Sequence, residues 1–514
     1  MNLVTPDFVL GSVAVLFVVV LLYASRSRQL SNQHHLPPGP RPLPLIGNAH
    51  QMPFEYPEQT FARWKGLYGD LIFLRMFSTP LLVVNSARAA RDLLEKRSAK
   101  YSDRPYSVLF IDLIGWDAEI GIMNYGERFK KHRRWVQAAF FDKAALAQLL
   151  PVQTREAHTL LANLLRDPEN FARHLHRFSG ASMLETLYGH SVTDDDDEYL
   201  KLIDKANDTI TSSSAPGAAL VDFLPFLQYT PAWLPGAGWK RKVLEARDAL
   251  KEASTRCYAL AEAQAHSGKP SIIGSIIKEC SDKGILASQE HEIMHLGSVT
   301  YSGASPVTKS VLHSFVLAMV LHPEAYTKAQ QEMDTVLGRD RLPTLEHRDS
   351  LPYLECVLKE TYRWLCPILL GLPHASCEDD EYNGYFIPKG TAIIPNLWLM
   401  LRDPEVYSEP DLFRPERFWA LSSEECERTD PRNIVFGHGR RICPGRRFAD
   451  AGVWLAIAGM VATFHIQKTR DASGKEITPP ALYESGFTSA PAPFKCSIQP
   501  RSKQAVLREG KFNM

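Results

Sequence analysis

Ten residues near the carboxyl end, Phe436-Gly437-His438-Gly439-Arg440-Arg441-Ile442-Cys443-Pro444-Gly445, restrict what this chain can fold into more than any other stretch. One cysteine lies among three glycines and beside a proline, and a nearly all-apolar segment from Arg446 to Phe464 follows at once. A helix that is apolar all round belongs in the centre of a core. Glycines permit a tight loop whose backbone can approach a flat cofactor. Amide N–H groups of such a loop, and the start of the next helix, stabilise a thiolate. Arg441 adds a fixed positive charge for a carboxylate. A lone thiolate in this setting suits a heme iron, whose single protein ligand it can be. A buried structural cysteine would need neither the glycines nor the arginines.

Composition agrees with an enzyme of one main chemistry. The chain has 514 residues, 58 Lys+Arg against 58 Asp+Glu, and 45% hydrophobic residues. That apolar content excludes disorder, and a mean hydropathy of -0.19 excludes a polytopic membrane protein. Zero net charge argues against nucleic acid as a partner. Eight cysteines without a CxxC pair form no disulfide framework, so one or two at most carry chemistry.

The amino terminus departs from this soluble character. Phe8 to Ala24 is seventeen residues without a charge, with Asp7 before it and Arg26 and Arg28 after it. That length can span a bilayer, and the basic residues on the far side make it an uncleaved anchor with the rest of the chain in the cytoplasm. Residues 1–28 are therefore expected to be a membrane anchor, and Asn207-Asp208-Thr209 would meet no glycosyltransferase. The proline-dense run from Leu36 to Asn48 makes residues 29–50 a stiff hinge. Residues 51–514 remain for the catalytic part.

Strand-like runs lie at Leu71–Met76, Leu81–Asn85, Tyr385–Pro388 and Ala392–Pro395, and most of the rest has helical period. Leu354, Val357, Leu358, Tyr362 and Leu365 mark one buried helix face that Pro367 stops, and a long helix is expected from Ser288 to Leu321. Asp194 to Glu198 is a solvated acidic loop. Phe223, Phe226, Tyr229, Trp233 and Trp239, next to Lys240-Arg241-Lys242, read either as a membrane-headgroup surface or as a packed helix connection. His291-Glu292-Ile293-Met294-His295 matches HExxH, which taken alone would make a zinc hydrolase using His291 and His295. No third ligand follows at the expected helical distance.

Three motifs in order resolve the competition. Phe436, Gly439, Arg441, Cys443 and Gly445 fit FxxGxRxCxG, which resembles the heme-binding signature of the cytochrome P-450 family of heme-thiolate monooxygenases. Glu360 and Arg363 match that family's ExxR, and Pro415-Glu416-Arg417-Phe418 its PERF segment. Cys443 follows Glu360 by 83 residues and Arg417 by 26. The anchor and hinge resemble microsomal members. YGERFKKHRR, LPGAG and FIPKGT are similar to fungal secondary-metabolism members, such as O-methylsterigmatocystin oxidoreductase-like enzymes.

The resemblance implies a mainly α fold with a small β-rich subdomain and an N-terminal transmembrane helix. It implies heme b held by Cys443, with Phe436, Gly437, Gly439, Arg441 and Gly445 around it. Arg133, in the WxxxR position, and His374 would hold the propionates. The WxxxR tryptophan is Phe129 here, with Lys130 or His132 as replacement donors. Glu360, Arg363 and Arg417 would form a buried charge network. Because residues from Arg133 to Gly445 converge on one heme, the globular part is a single domain. No flavin or nicotinamide fingerprint occurs, so electrons would come from NADPH–cytochrome P-450 reductase, docked on a basic face including Lys130, Lys131, Arg440 and Arg446.

One departure stands out. The family's [AG]Gx[DE]T[TS], an acid–alcohol pair that relays protons during oxygen reduction, falls on Gly303 to Thr308 and puts Pro306 at the acid and Val307 at the alcohol. Thr308 survives as the second threonine. Valine cannot donate a proton, and proline removes an amide and kinks the helix, freeing a carbonyl near Ser302. Either Ser305, Thr308 or a substrate hydroxyl supplies the relay, or the enzyme catalyses a rearrangement, dehydration or cyclisation, or turnover is impaired. The expected function is oxidation, with O2, of a small apolar intermediate such as a terpenoid or polyketide, by an enzyme anchored as a single pass in endoplasmic reticulum lipid. A non-catalytic heme or lipid carrier is the remaining alternative.

Overall fold

The computed structural model describes residues 35–502, apart from residues 195, 214 and 215. The expected anchor, residues 1–28, and the first part of the hinge lie outside the described residues. Eleven helices of eleven or more residues dominate the regular structure among the described residues. They are α1 Pro57–Tyr68, α2 Glu127–Phe140, α3 Lys143–Arg166, α4 Phe171–Tyr188, α5 Glu198–Ser213, α6 Gly238–His266, α7 Ile272–Asp282, α8 Leu286–Leu321, α9 Pro323–Leu337, α10 Pro352–Trp364 and α11 Arg446–Thr463.

The β structure is small. β1 Leu71–Met76, β2 Thr79–Val84, β3 His374–Ala375 and β6 Ala392–Pro395 form one sheet in the order β1-β2-β6-β3. β2 and β6 run parallel, Leu81 opposite Ala392, joining the two halves of the sequence. β4 Asp380–Tyr382 pairs with β5 Tyr385–Ile387. β7 Phe464–Arg470 takes β8 Glu476–Ile477 on one side and β9 Cys496–Pro500 on the other. The hinge is not free-standing in its described part. Phe73 N donates to Pro38 O at 2.9 Å, Asn48 Oδ1 accepts from Arg75 N at 2.8 Å, and a Cβ on Gly39 would sit 2.0 Å from Phe73 O. Its prolines dock onto β1.

Helix α8 is the axis of the molecule. It is long and apolar enough to cross a membrane, but its apolar run is mostly buried in protein. Val311, Leu312 and Phe315 to Val320 are closed off from solvent and share one core with α3, α4, α9, α10 and the apolar α11, whose Trp454 is the largest fully buried side chain. His313 is part of this core, stacked on Phe494 at 5.1 Å, and burial lowers its pKa from 6.5 to about 4.

Glu360 is the polar exception. Its carboxylate is wholly buried, taking Arg363 Nε at 2.7 Å and Nη2 at 2.8 Å, Arg417 Nε at 3.0 Å and the Arg414 amide at 2.7 Å. The two guanidiniums then donate to the carbonyls of Leu401, Ser408, Pro410 and Leu412. One carboxylate thus pins an irregular segment of chain to α10. Glu360→Ala leaves two buried cations unpaired, and a loss of about 3–5 kcal/mol is expected in denaturant unfolding.

The histidines add a pH dependence. As pH falls below 6.5 the unfolded chain protonates His313, while the folded chain resists until about 4. Stability is therefore full above 6.5 and declines toward 4, by up to about 3 kcal/mol for one such group. His313→Phe should flatten unfolding free energy over that window by one proton's worth, with His295, His374 and the other histidines of lowered pKa keeping the rest.

Candidate active site

The segment pinned by Glu360 ends in the cysteine loop. A second set of ion pairs holds that end, Arg432 to Glu355 of α10 at 2.7 Å and to its neighbour Asp430 at 2.6 Å. Phe436 packs edge-on to Tyr362 of α10, ring centroids 5.8 Å apart. The Cys443 amide donates to the Phe436 carbonyl at 2.7 Å, closing the loop on itself. Between them Gly437 and Gly439 take φ of +76° and +56°, where side chains strain the backbone. Gly439 has a further reason, because a Cβ there would lie 2.0 Å from the Leu94 carbonyl. Gly445 differs, since it has negative φ and open space around it.

Burial raises the Cys443 thiol pKa. The Gly445 N–H and the charges of Arg133 and Arg446 act against that rise. The loop supplies the elements of a thiolate ligand, and a bound metal ion would complete them. The cysteine opens onto a concavity of about 430 Å³ between the loop and α2, with Lys130, Arg133, Arg134, Arg440 and Arg446 on its walls. Lys131 points elsewhere, to Gln289 at 2.7 Å.

Around the loop the protein collects buried positive charge. Arg441 donates to the carbonyls of Ser102, Ile120 and Met123 and lies 3.9 Å from the Phe129 ring centroid. Phe129 therefore serves as a platform under Arg441. The candidates for replacing its indole donor are engaged otherwise, His132 with Glu292 at 2.5 Å and Lys130 with Glu127 at 2.7 Å. His374 is buried and bonds the Tyr101 carbonyl at 2.8 Å. Burial and the nearby Arg104, Arg441 and His438 hold its pKa well below the usual range. Arg104 was not singled out from sequence. It is buried, its Nη1 binds the carbonyls of Leu372 and Pro373, and its Nε has no partner. Burial, then repulsion from Arg441, lowers Arg104 to about 9, and burial lowers Arg441 to about 10. Basic groups that resist their own charge call for an anion between them. The two carboxylates of a heme fit that demand, as the cysteine loop fits its iron. The only sequence signal for Arg104 is a basic residue in Ser-Asp-Arg-Pro, and its burial depends on contacts with residues 372 and 373.

The HExxH segment is not a metal site. Glu292, its would-be base, is held by Arg128 Nε at 3.0 Å and by His132, which ties α8 to α2. No group of three or more metal-binding side chains occurs among the described residues. The zinc-hydrolase alternative falls with this.

On α8 the departure is visible in three dimensions. The helix runs on through Pro306 without a break. Gly303 is exposed, with nothing within 4 Å of where its Cβ would be, and Val307 one turn later is half-buried. Ser305, two residues from each, is turned about 200° away. It is buried, its Oγ 3.2 Å from Ser179 Oγ on α4. Thr308 is half-buried.

The chain belongs to the cytochrome P-450 family, whose profile matches residues 37–498. It is 43% identical over 494 residues to cytochrome P-450 monooxygenase 176 of Postia placenta, covering 95% of each chain. Cytochrome P-450 monooxygenase claR of Ampulloclitocybe clavipes is 37% identical over 505 residues, 98% of this chain and 93% of that one. The protein is accordingly an enzyme of the monooxygenase type, and the non-catalytic carrier alternative is set aside.

The two glycine environments make a test. Gly439→Ala should abolish or strongly reduce heme incorporation, read as Soret absorbance per protein, whereas Gly445→Ala should leave most of it.

Proposed function

We propose that the protein is a membrane-anchored heme-thiolate monooxygenase that oxidises a small apolar biosynthetic intermediate, a terpenoid or polyketide, in secondary metabolism. The observations that carry this reading are the Cys443 thiol in a cation-walled concavity and the buried basic cluster of Arg104, Arg441 and His374. Heme b held by these residues would supply the reductive activation of O2, with Cys443 as the thiolate that donates electron density to its iron. Arg104, Arg133, Arg441 and His374 would hold its carboxylates. Phe436 and the loop glycines would hold the sulfur in place.

The concavity also supports docking of NADPH–cytochrome P-450 reductase. Lys130, Arg134, Arg440 and Arg446 offer an acidic partner a positive surface over the cysteine. An endoplasmic reticulum anchor with the catalytic domain in the cytoplasm is supported by the charge pattern around residues 8–24. The aromatic segment fits the same picture, since Phe226, Tyr229 and Trp233 are mostly exposed. Its basic neighbours are partly used up, because Lys240 is buried on the Gln228 carbonyl and Arg241 binds that of Ala232. Contact with lipid would be chiefly apolar.

Val307 and Pro306 favour a second reading, a heme-thiolate rearrangement, dehydration or cyclisation. Incubation with candidate terpenoids and polyketides under ¹⁸O2 separates them. Label in the product and a strict need for NADPH and reductase are expected. Unlabelled product formed without NADPH would replace monooxygenation with rearrangement. A reduced, CO-bound Soret band at the position of histidine-ligated heme would overturn the thiolate.

A further inference from the structure

Monooxygenation turns one atom of O2 into water, so each turnover consumes two protons. In this chain the usual donors on α8 are Pro306 and Val307, and neither carries an exchangeable side-chain proton. Another set of groups reaches the same turn of the helix from behind. His176 of α4 and Asp204 of α5 pair at 2.7 Å, each about one-third to one-quarter exposed, at 31% and 26%. The Tyr301 hydroxyl donates to the other oxygen of Asp204 at 3.4 Å. Tyr301 is wholly buried, and its hydroxyl also contacts Ser305. Ser305 Oγ meets Ser179 Oγ at 3.2 Å, and Ser179 Oγ donates to the His176 carbonyl at 2.8 Å.

This line does not look like packing alone. Tyr301 sits in an apolar cluster with Leu184, Tyr188 and Ile203, where phenylalanine would fill the same volume without a hydroxyl to satisfy. Gly180 makes room for it, because a Cβ there would lie 2.7 Å from the hydroxyl. Burial and the neighbouring Asp204 carboxylate hold the Tyr301 hydroxyl in its protonated form, able to donate and accept at once. At the inner end, Ser305 adjoins Pro306, which offers no N–H to the Ser302 carbonyl. That carbonyl is free to hold a water across the turn, between the closed side of the helix and the open side of Gly303 and Val307.

Resting on the monooxygenase reading, we propose that the hydrogen-bonded line His176–Asp204–Tyr301–Ser305, ending at the Pro306 turn, is the proton-supply route that replaces the missing acid–alcohol pair. Each passage moves one proton and leaves every group as it began. Ser305 gives its hydroxyl proton inward through the water at the turn and takes that of Tyr301. Tyr301 is reprotonated from the Asp204–His176 pair, and the pair from solvent. Tyr301 and Ser305 act as positioned carriers, and Gly180 and Ser179 as positioning residues.

The test uses the full-length protein with heme and reductase. Tyr301→Phe and Ser305→Ala should each lower the fraction of NADPH electrons recovered in product by about tenfold or more and enlarge the solvent deuterium isotope effect on kcat. Thermal stability and substrate-induced spectral binding should change little. The partly buried pair His190–Asp197, bonded at 2.7 Å but outside the line, serves as a control, and His190→Asn should leave coupling as in wild type. A readout independent of turnover is the exchange of tyrosine hydroxyl protons in D2O by difference infrared spectroscopy, each band assigned by its Phe variant. Tyr301 should exchange much faster than Tyr188, an equally buried hydroxyl with no partner.

Equal exchange for the two tyrosines, or wild-type coupling and isotope effect in Tyr301→Phe, would overturn the route. Unlabelled product from ¹⁸O2 with the wild type would instead overturn the monooxygenase reading and remove the route's use. Fast exchange at Tyr301 in that case would show the line to be connected but idle.

Discussion

A single buried carboxylate carries much of the architecture that matters for chemistry. Glu360 binds two guanidiniums and one amide, and those guanidiniums bind the carbonyls of a segment with no regular secondary structure. Irregular chain cannot satisfy its own backbone groups, so it is stable inside a protein only when side chains do so. Glu355, five residues earlier on the same helix, holds the far end through Arg432. The chain that leads into the cysteine loop is therefore held at two points on α10, and the loop starts from the second. Its sulfur is placed by a charge network that never touches it.

The second organising feature is an excess of buried positive charge. Arg104, Arg441 and His374 all have pKa values pushed down, chiefly by burial and secondarily by the charges of neighbouring cations. Such an arrangement opposes folding on its own and favours a dianionic ligand. Stability and cofactor binding are thus coupled in this enzyme, because carboxylates bound among these groups would offset the burial of their charge.

Helix α8 shows how one element can carry a loss and its remedy. Proline at 306 removes a side-chain acid and an amide, while the bulk of the helix remains intact because its ends are packed on α4, α6 and α11. The faces on either side of that proline have opposite characters. One is open and apolar at Gly303 and Val307, and the other is closed and hydroxyl-lined at Tyr301 and Ser305.

Much of this could be read from the sequence. The strands at 71–76 and 392–395, the long helix and the apolar α11 follow from periodicity, because local spacing and residue type determine them, whereas the Glu360–Arg363–Arg417 network is implied by the family resemblance. The docking of the hinge on β1, the capture of Glu292 by Arg128 and His132, and the place of Arg104 do not follow. Each depends on residues tens to hundreds of positions apart meeting in space. Likewise, sequence showed that Val307 and Pro306 had replaced the acid and alcohol, and named Ser305 as a candidate. Only the packing of α4 and α5 against α8 decided which way Ser305 faces, because a side chain's direction is set by the helix it belongs to and its partners by the helices beside it.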